Sequence, residues 1–249
     1  KKKIVVIQNL IRSENFSLAI VNSKKLIKKY PENSYIYNLC GLALQADKKI
    51  LESVEYFTKA IYYEPENLAA MNNLANSYKA LSKLNEAEDL YLRVIEKDPK
   101  NVKTLNNYGN LKQRFNDFNF AIDLYQKALK VDNNNINILF SLASTYQGIG
   151  KFDEAKKIIN QILELDPNNT ASHKLLSGFI NYKDNQDHLS VMENLLKKDY
   201  LDPSKKIDLY FALGKAYEDL KDYNSSFKNL EAANKLKKEK VNYQILDDE

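Results

Sequence analysis

Between residues 69 and 99, apolar side chains fall at Met71, Leu74, Ala75 and Tyr78. After a polar break at Ser82-Lys83 they resume at Leu84, Ala87, Tyr91 and Val94. Steps of three and four residues put each set on one face of an α-helix. The pattern predicts two amphipathic helices of about 14 residues joined by a tight turn. It returns at Leu105, Tyr108, Gly109, Phe118, Ala121, Tyr125 and Ala128, and again at Leu139, Leu142, Ala143, Tyr146, Phe152, Ala155 and Ile162. Pro31, Pro65, Pro99 and Pro167 punctuate it at multiples of 34 residues, with Asn133 at the vacant place. Proline just past a helix end stops the helix, and the Asn and Asp around it can cap the next one.

The period organises small residues as well. Gly41, Ala75, Gly109, Ala143 and Gly214 share one place in the first helix of each unit, and Ser53, Ala87, Ala121, Ala155 and Ser226 share one in the second. Small side chains there let paired helices approach closely. A large residue at Ala121 is expected to overpack by about 1–3 kcal/mol.

A 34-residue helix-turn-helix unit with these positions resembles the tetratricopeptide repeat (TPR) family. The resemblance covers nearly the whole chain, as repeats at about 1–33, 34–67, 68–101, 102–135, 136–169, 170–206 and 207–238, with a tail or linker at 239–249. The first is weak. The sixth is degenerate and longer, with Asn185-Gln186-Asp187 in place of an apolar turn. The resemblance implies an all-α fold, a right-handed α-α superhelix of about seven repeats, with first helices lining a concave side. It also implies a scaffold that binds a protein or an extended peptide in that groove.

The polar positions of the first helices are then the candidate site. Asn38, Asn72 and Asn106 form one row, Asn76 and Asn110 a second, and Gln45, Lys79, Gln113 and Gln147 a third. Asn73 and Asn107 sit beside the first row, Lys103 precedes it, and Asn137 and Ser141 extend the field. Phe140 replaces the amide of the first row and, with Phe211, offers an apolar step. Asn is a mediocre helix former, so rows of it in mid-helix call for a reason. Amides offer donors and acceptors together, which suits the backbone of an extended peptide. On this reading Asn72, Asn76, Asn106 and Asn110 are exposed, and replacing Asn76 and Asn110 by Ala leaves stability unchanged. A similar asparagine ladder lines the TPR region of the O-linked N-acetylglucosamine transferases; Asn73 and Asn107 match it, while Leu39 and Ser141 depart from it. The family's carboxylate clamp fits poorly: Lys103 and Asn107 suit it, but the expected Arg is absent and Leu42 stands where Asn is needed.

Composition narrows the rest. Gly and Pro number 6 and 5, which excludes collagen, flexible linkers and Pro-rich disorder. Net charge is +4, and the cations are nearly all Lys, so no nucleic-acid partner is expected. No apolar run is long enough for membrane insertion. Cys40 is the only cysteine and falls at a core position, which fits a reducing, cytoplasmic interior and excludes a disulfide framework. His173 and His188 lack neighbouring ligands, so no metal is expected. No glycine-rich phosphate loop, nucleophile constellation or paired carboxylates stand out, so no catalytic residue and no cofactor is expected.

Residues 209–238, LYFALGKAYEDLKDYNSSFKNLEAANKLKK, resemble the last TPR unit of bacterial TPR–sulfotransferase fusion proteins. That resemblance implies a substrate-recognition arm whose catalytic domain lies outside this chain, an expectation the lack of an initiator Met fits. A further expectation is self-association through the solenoid ends, because terminal repeats expose apolar faces unless capped.

Overall fold

The structure, a computed structural model, describes residues 2–198 and 201–241. Among the described residues there are fourteen α-helices and no strand. They are α1 (Lys2–Arg12), α2 (Phe16–Lys29), α3 (Ser34–Ala46), α4 (Ile50–Tyr63), α5 (Leu68–Ala80), α6 (Leu84–Lys97) and α7 (Val102–Arg114). There follow α8 (Phe118–Val131), α9 (Ile136–Gly148), α10 (Phe152–Leu165), α11 (Thr170–Ser177), α12 (Gln186–Leu196), α13 (Pro203–Asp219) and α14 (Tyr223–Val241). The fold is all-α and repetitive, as the pattern predicts.

Local chemistry sets the helix ends. Asn33, Asn67, Asn101, Asn135 and Asn169 each accept a hydrogen bond from the backbone N–H three residues on, capping α3, α5, α7, α9 and α11. Asp202 caps α13 ahead of Pro203, whose missing N–H costs nothing at that place. Between the helices of a pair the chain reverses through one left-handed residue: Glu14, Lys48, Ser82, Asn116, Gly150 and Lys221 all have positive φ.

The chain divides into two compact units, Lys1–Asn133 and Asn134–Glu249. In the first, α1–α8 stack as pairs, each second helix packing on the next first helix: α2 on α3, α4 on α5, α6 on α7. The small positions of the first helices lie where the two helices of a pair touch. A Cβ on Gly41 would fall 2.6 Å from the Phe57 ring, and one on Gly109 2.5 Å from the Tyr125 ring. Ser53, Ala87 and Ala121 are fully buried. Cys40 is buried with Ile36, Leu39 and Leu44, and that burial pushes its thiol up to about 12, so it acts as a small hydrophobe.

The second unit holds α9–α14 around Ile159, Leu176, Tyr182, Met192, Leu209 and Leu213. Its break in periodicity is at 178–185. There α11 stops after eight residues, and an irregular segment carries Tyr182 into the core with no exposed surface. Two side chains of α13 satisfy that segment's backbone: Asp219 accepts from the Tyr182 N–H at 3.2 Å, and Lys215 donates to the Ile180 carbonyl at 2.9 Å. At the other end α14 runs on to Val241, past the boundary at 238; the rest of the tail lies outside the described residues.

Candidate functional site

In the first unit the amide rows are tied together across successive repeats. Asn73 Nδ2 donates to Asn38 Oδ1 at 2.9 Å, and Asn107 Nδ2 donates to Asn72 Oδ1 at 3.1 Å. Thr104 Oγ1 adds a second donor to Asn72 Oδ1, and Lys103 Nζ donates to Asn73 Oδ1. Gln45 Nε2 joins the same seam by donating to Ser77 Oγ at 3.0 Å. These bonds correct the expectation that Asn72 is exposed. Asn38, Asn72 and Asn73 are 5, 3 and 3% exposed. They are buried because each serves as a hydrogen-bonded spacer between stacked first helices. Half-buried Asn106 has its Oδ1 sealed from solvent without a partner, and so does Asn72 Nδ2. A sealed polar atom without a partner costs free energy and calls for a reason.

The second row is built differently. Tyr91 and Tyr125, fully buried on α6 and α8, donate their hydroxyls to Asn76 Oδ1 and Asn110 Oδ1 at 2.6 and 2.7 Å. A tyrosine hydroxyl that donates must meet the oxygen end of the amide. Each amide is thereby locked, and its Nδ2 is the end left to donate from a half-buried position. The first of these bonds corrects the expectation that removing the two amides leaves stability unchanged, since Ala at Asn76 strands the buried Tyr91 hydroxyl.

Basic groups border this pair of donors. Lys79 is half-buried, and its burial, with Arg114 beside it, pulls its ammonium below the usual lysine range. Arg114 Nη1 donates to the Lys79 carbonyl at 2.6 Å. Lys103 is exposed, while Asn107 and Gln113 are half-buried on the same helix, α7.

In the second unit, Phe140 and Gln147 of α9 line a cleft of about 370 Å³ with Ala171, Lys174, Leu175 and Asp208. Lys174 pairs with Asp208 at 3.0 Å and also lies 5.3 Å above the Phe211 ring. Phe211 therefore sits under the cation rather than in the cleft lining with Phe140. Asn137 is exposed, and the Ser141 hydroxyl is turned back onto the Asn137 carbonyl.

The two histidines form a chain within the second unit. His173 Nε2 meets the Pro167 carbonyl at 2.9 Å, His173 Nδ1 meets His188 Nε2 at 2.9 Å, and His188 Nδ1 meets the Tyr182 hydroxyl at 2.8 Å. A carbonyl only accepts, so His173 carries its proton on Nε2 and accepts at Nδ1. His188 must then donate from Nε2 and accept the Tyr182 proton at Nδ1. All four ring nitrogens are engaged, with both rings neutral. Burial pulls both histidines down, and the neighbouring His173 contributes to bringing His188 to about 4. Spacing in the sequence had hidden this cluster, since only the irregular 178–185 segment brings Tyr182 to His188.

Sequence models of the tetratricopeptide repeat match residues 66–134, 114–177 and 207–240. No curated protein matches the chain. Solved structures share its fold at low identity. A tetratricopeptide repeat protein from Parabacteroides merdae superposes with a TM-score of 0.68 at 17% identity, covering 94% of this chain and 92% of that one. Cut9–Hcn1 of the APC/C gives 0.73 at 15%, covering 96% of this chain and 46% of that chain. YrrB, a TPR protein with an unusual peptide-binding site, gives 0.54 at 16%, covering 83% and 96%. At these identities the likeness is one of fold.

Proposed function

The chain is built from tetratricopeptide repeats, and from that premise we propose that it is a non-catalytic scaffold that binds an extended peptide or protein segment along the first helices of its first unit. The observation that carries this reading is the locked pair Asn76 and Asn110. Two buried tyrosines hold the amides by their oxygens and present two Nδ2 donors at equivalent places in neighbouring repeats. Donors fixed in advance lose little entropy when a ligand carbonyl arrives. Lys79, Lys103 and Asn107 border them, and the internal bonds of Asn38, Asn72 and Asn73 keep the first helices in register. Asn106 and Gln113 are the places in the first unit where a longer ligand would continue.

The test uses peptides selected from a random display library on the immobilised chain. Asn76→Asp with Asn110→Asp keeps an acceptor for each tyrosine and removes both donors. The expected result is at least a tenfold loss of affinity for the selected peptides, about 1.4 kcal/mol, with helicity retained. Unchanged affinity would count against this face. The alternative of a recognition arm of a TPR–sulfotransferase rests on the pattern at 209–238. A coding sequence that continues into a sulfonucleotide-binding domain would support it, and a stop codon after Glu249 would end it.

A further inference from the structure

We infer that the peptide taken by the first unit carries an acidic side chain, and that Lys79 of α5 and Arg114 of α7 receive its carboxylate; this deepens the peptide-binding reading and rests on it. Charge is divided between the two helices of each pair. The first helices α3, α5 and α7 hold Lys79, Lys103, Lys112 and Arg114 but no Asp or Glu. Their partners α4, α6 and α8 all hold acids, among them Glu52, Glu88 and Asp123. Two of the four cations are engaged within the chain: Lys112 pairs with Glu88 at 2.6 Å, and Lys103 donates to the Asn73 amide. Lys79 and Arg114 meet no carboxylate among the described residues.

Packing does not ask for either charge. The places equivalent to Lys79 hold Gln45, Gln113 and Gln147, so a neutral amide serves the fold there. Those equivalent to Arg114 hold Ala46, Ala80 and Gly148. Arg114 Nη1 is fixed on the Lys79 carbonyl at 2.6 Å, and Nη2 lies 3.4 Å from Ser82 Oγ, which seats the guanidinium against the end of α5. Lys79 is half-buried beside it, poorly hydrated and repelled, which is why its ammonium lies below the usual lysine range. Two cations held together without a counter-charge destabilise the free chain, and an arriving carboxylate relieves both. Register assigns that carboxylate to a side chain. Lys79 follows Asn76 by three residues and Arg114 follows Asn110 by four, so the cations stand one helical turn, about 5.4 Å, beyond the two amide donors. A main chain whose carbonyls meet both Nδ2 groups runs across α5 and α7 and continues, and a branch from it reaches the next turn. Lys103 and Asn107, the residues suited to a terminal carboxylate, precede Asn110 and so lie in the opposite direction along α7.

The test selects short random peptides, displayed with the C-terminus fused to a coat protein, on the immobilised whole chain. The selected peptides are then measured as soluble amides by fluorescence anisotropy. An Asp or Glu is expected at one recurrent position, and its change to Asn or Gln should weaken binding about tenfold or more. Rising salt should erode that difference. Lys79→Gln, which leaves the Arg114 bond to the α5 backbone in place, should abolish the advantage of the acid over its amide twin, and Lys79→Arg should keep it. The melting temperature of Lys79→Gln should hold or rise, whereas a packing role for the lysine would lower it. Peptides without a recurrent acid, equal binding of the amide twin or of a scramble of the same composition, or indifference to Lys79→Gln would overturn the inference. So would a preference for a free C-terminus over its amide. The neutral twin separates the two readings. Binding of that twin that needs Asn76 and Asn110, with no gain from the acid, ends this inference alone; twin binding indifferent to Asn76→Asp with Asn110→Asp ends the reading on which it rests.

Discussion

An asparagine on a helix presents an oxygen and an NH₂ with nearly the same outline, and its partner decides which one faces outward. That decision lay in the sequence, though not in the asparagines themselves. The pairs Asn76/Tyr91 and Asn110/Tyr125 recur at a fixed separation, whereas the corresponding pairs Leu42/Phe57 and Ser144/Ile159 lack both the amide and the phenol. Amide and phenol come and go together because each satisfies the other. Asn76→Ala is therefore expected to cost about 1–3 kcal/mol in urea unfolding, the penalty for a buried hydroxyl without a partner. Asn76→Leu with Tyr91→Phe, which copies the preceding repeat, should recover most of that loss. The histidine chain gives a second residue-scale prediction. Both imidazoles are depressed when folded, so the unfolded chain binds protons first. Their stabilisation is complete above the unfolded value of about 6.5 and is lost as pH falls toward about 4. The chain has only these 2 histidines, so a falling melting temperature between about pH 6.5 and 5 reports on them. Tyr182→Phe with His188→Phe should flatten that slope.

At the scale of the element, the helices were legible because apolar spacing, capping Asn and boundary Pro all agree within each period. The left-handed turn residue was less so, because Glu14, Lys48, Ser82 and Lys221 are not residues that advertise positive φ, and only Asn116 and Gly150 suit it. Lys48 is exposed, at φ 62°, so Lys48→Gly relieves strain without opening the core. Against the entropy glycine adds to the unfolded chain, the gain should reach up to about 1 kcal/mol, read from the thermal midpoint. The tight contacts make the opposite prediction for Gly109→Ala, whose new methyl meets the Tyr125 ring. A destabilisation near the lower end of about 1–3 kcal/mol is expected, since Ala75 is accommodated at the equivalent place. The early end of α11 was illegible for a different reason. What stops it is held from far along the chain, by Lys215 and Asp219 of α13, and no local pattern carries that information.

Across the whole molecule, the repeat architecture makes stability a matter of neighbours. Each pair is held by its own packing and by the pairs it touches, so damage is expected to spread along the stack rather than through a common core. Phe57 is the place to test this: it is fully buried on α4, and its ring closes on Gly41 of α3. Phe57→Ala removes that ring at a cost of about 3–5 kcal/mol. In hydrogen exchange, α3, α4 and α5, which are in direct contact, should lose protection first, while α13 and α14 keep theirs because they belong to a separate compact unit. In the unaltered chain α1 and α2 should exchange faster than α3 to α6, since among the described residues α1 packs mainly on α2 and α3. An equal loss of protection over the whole chain would mean that the two units unfold as one cooperative block.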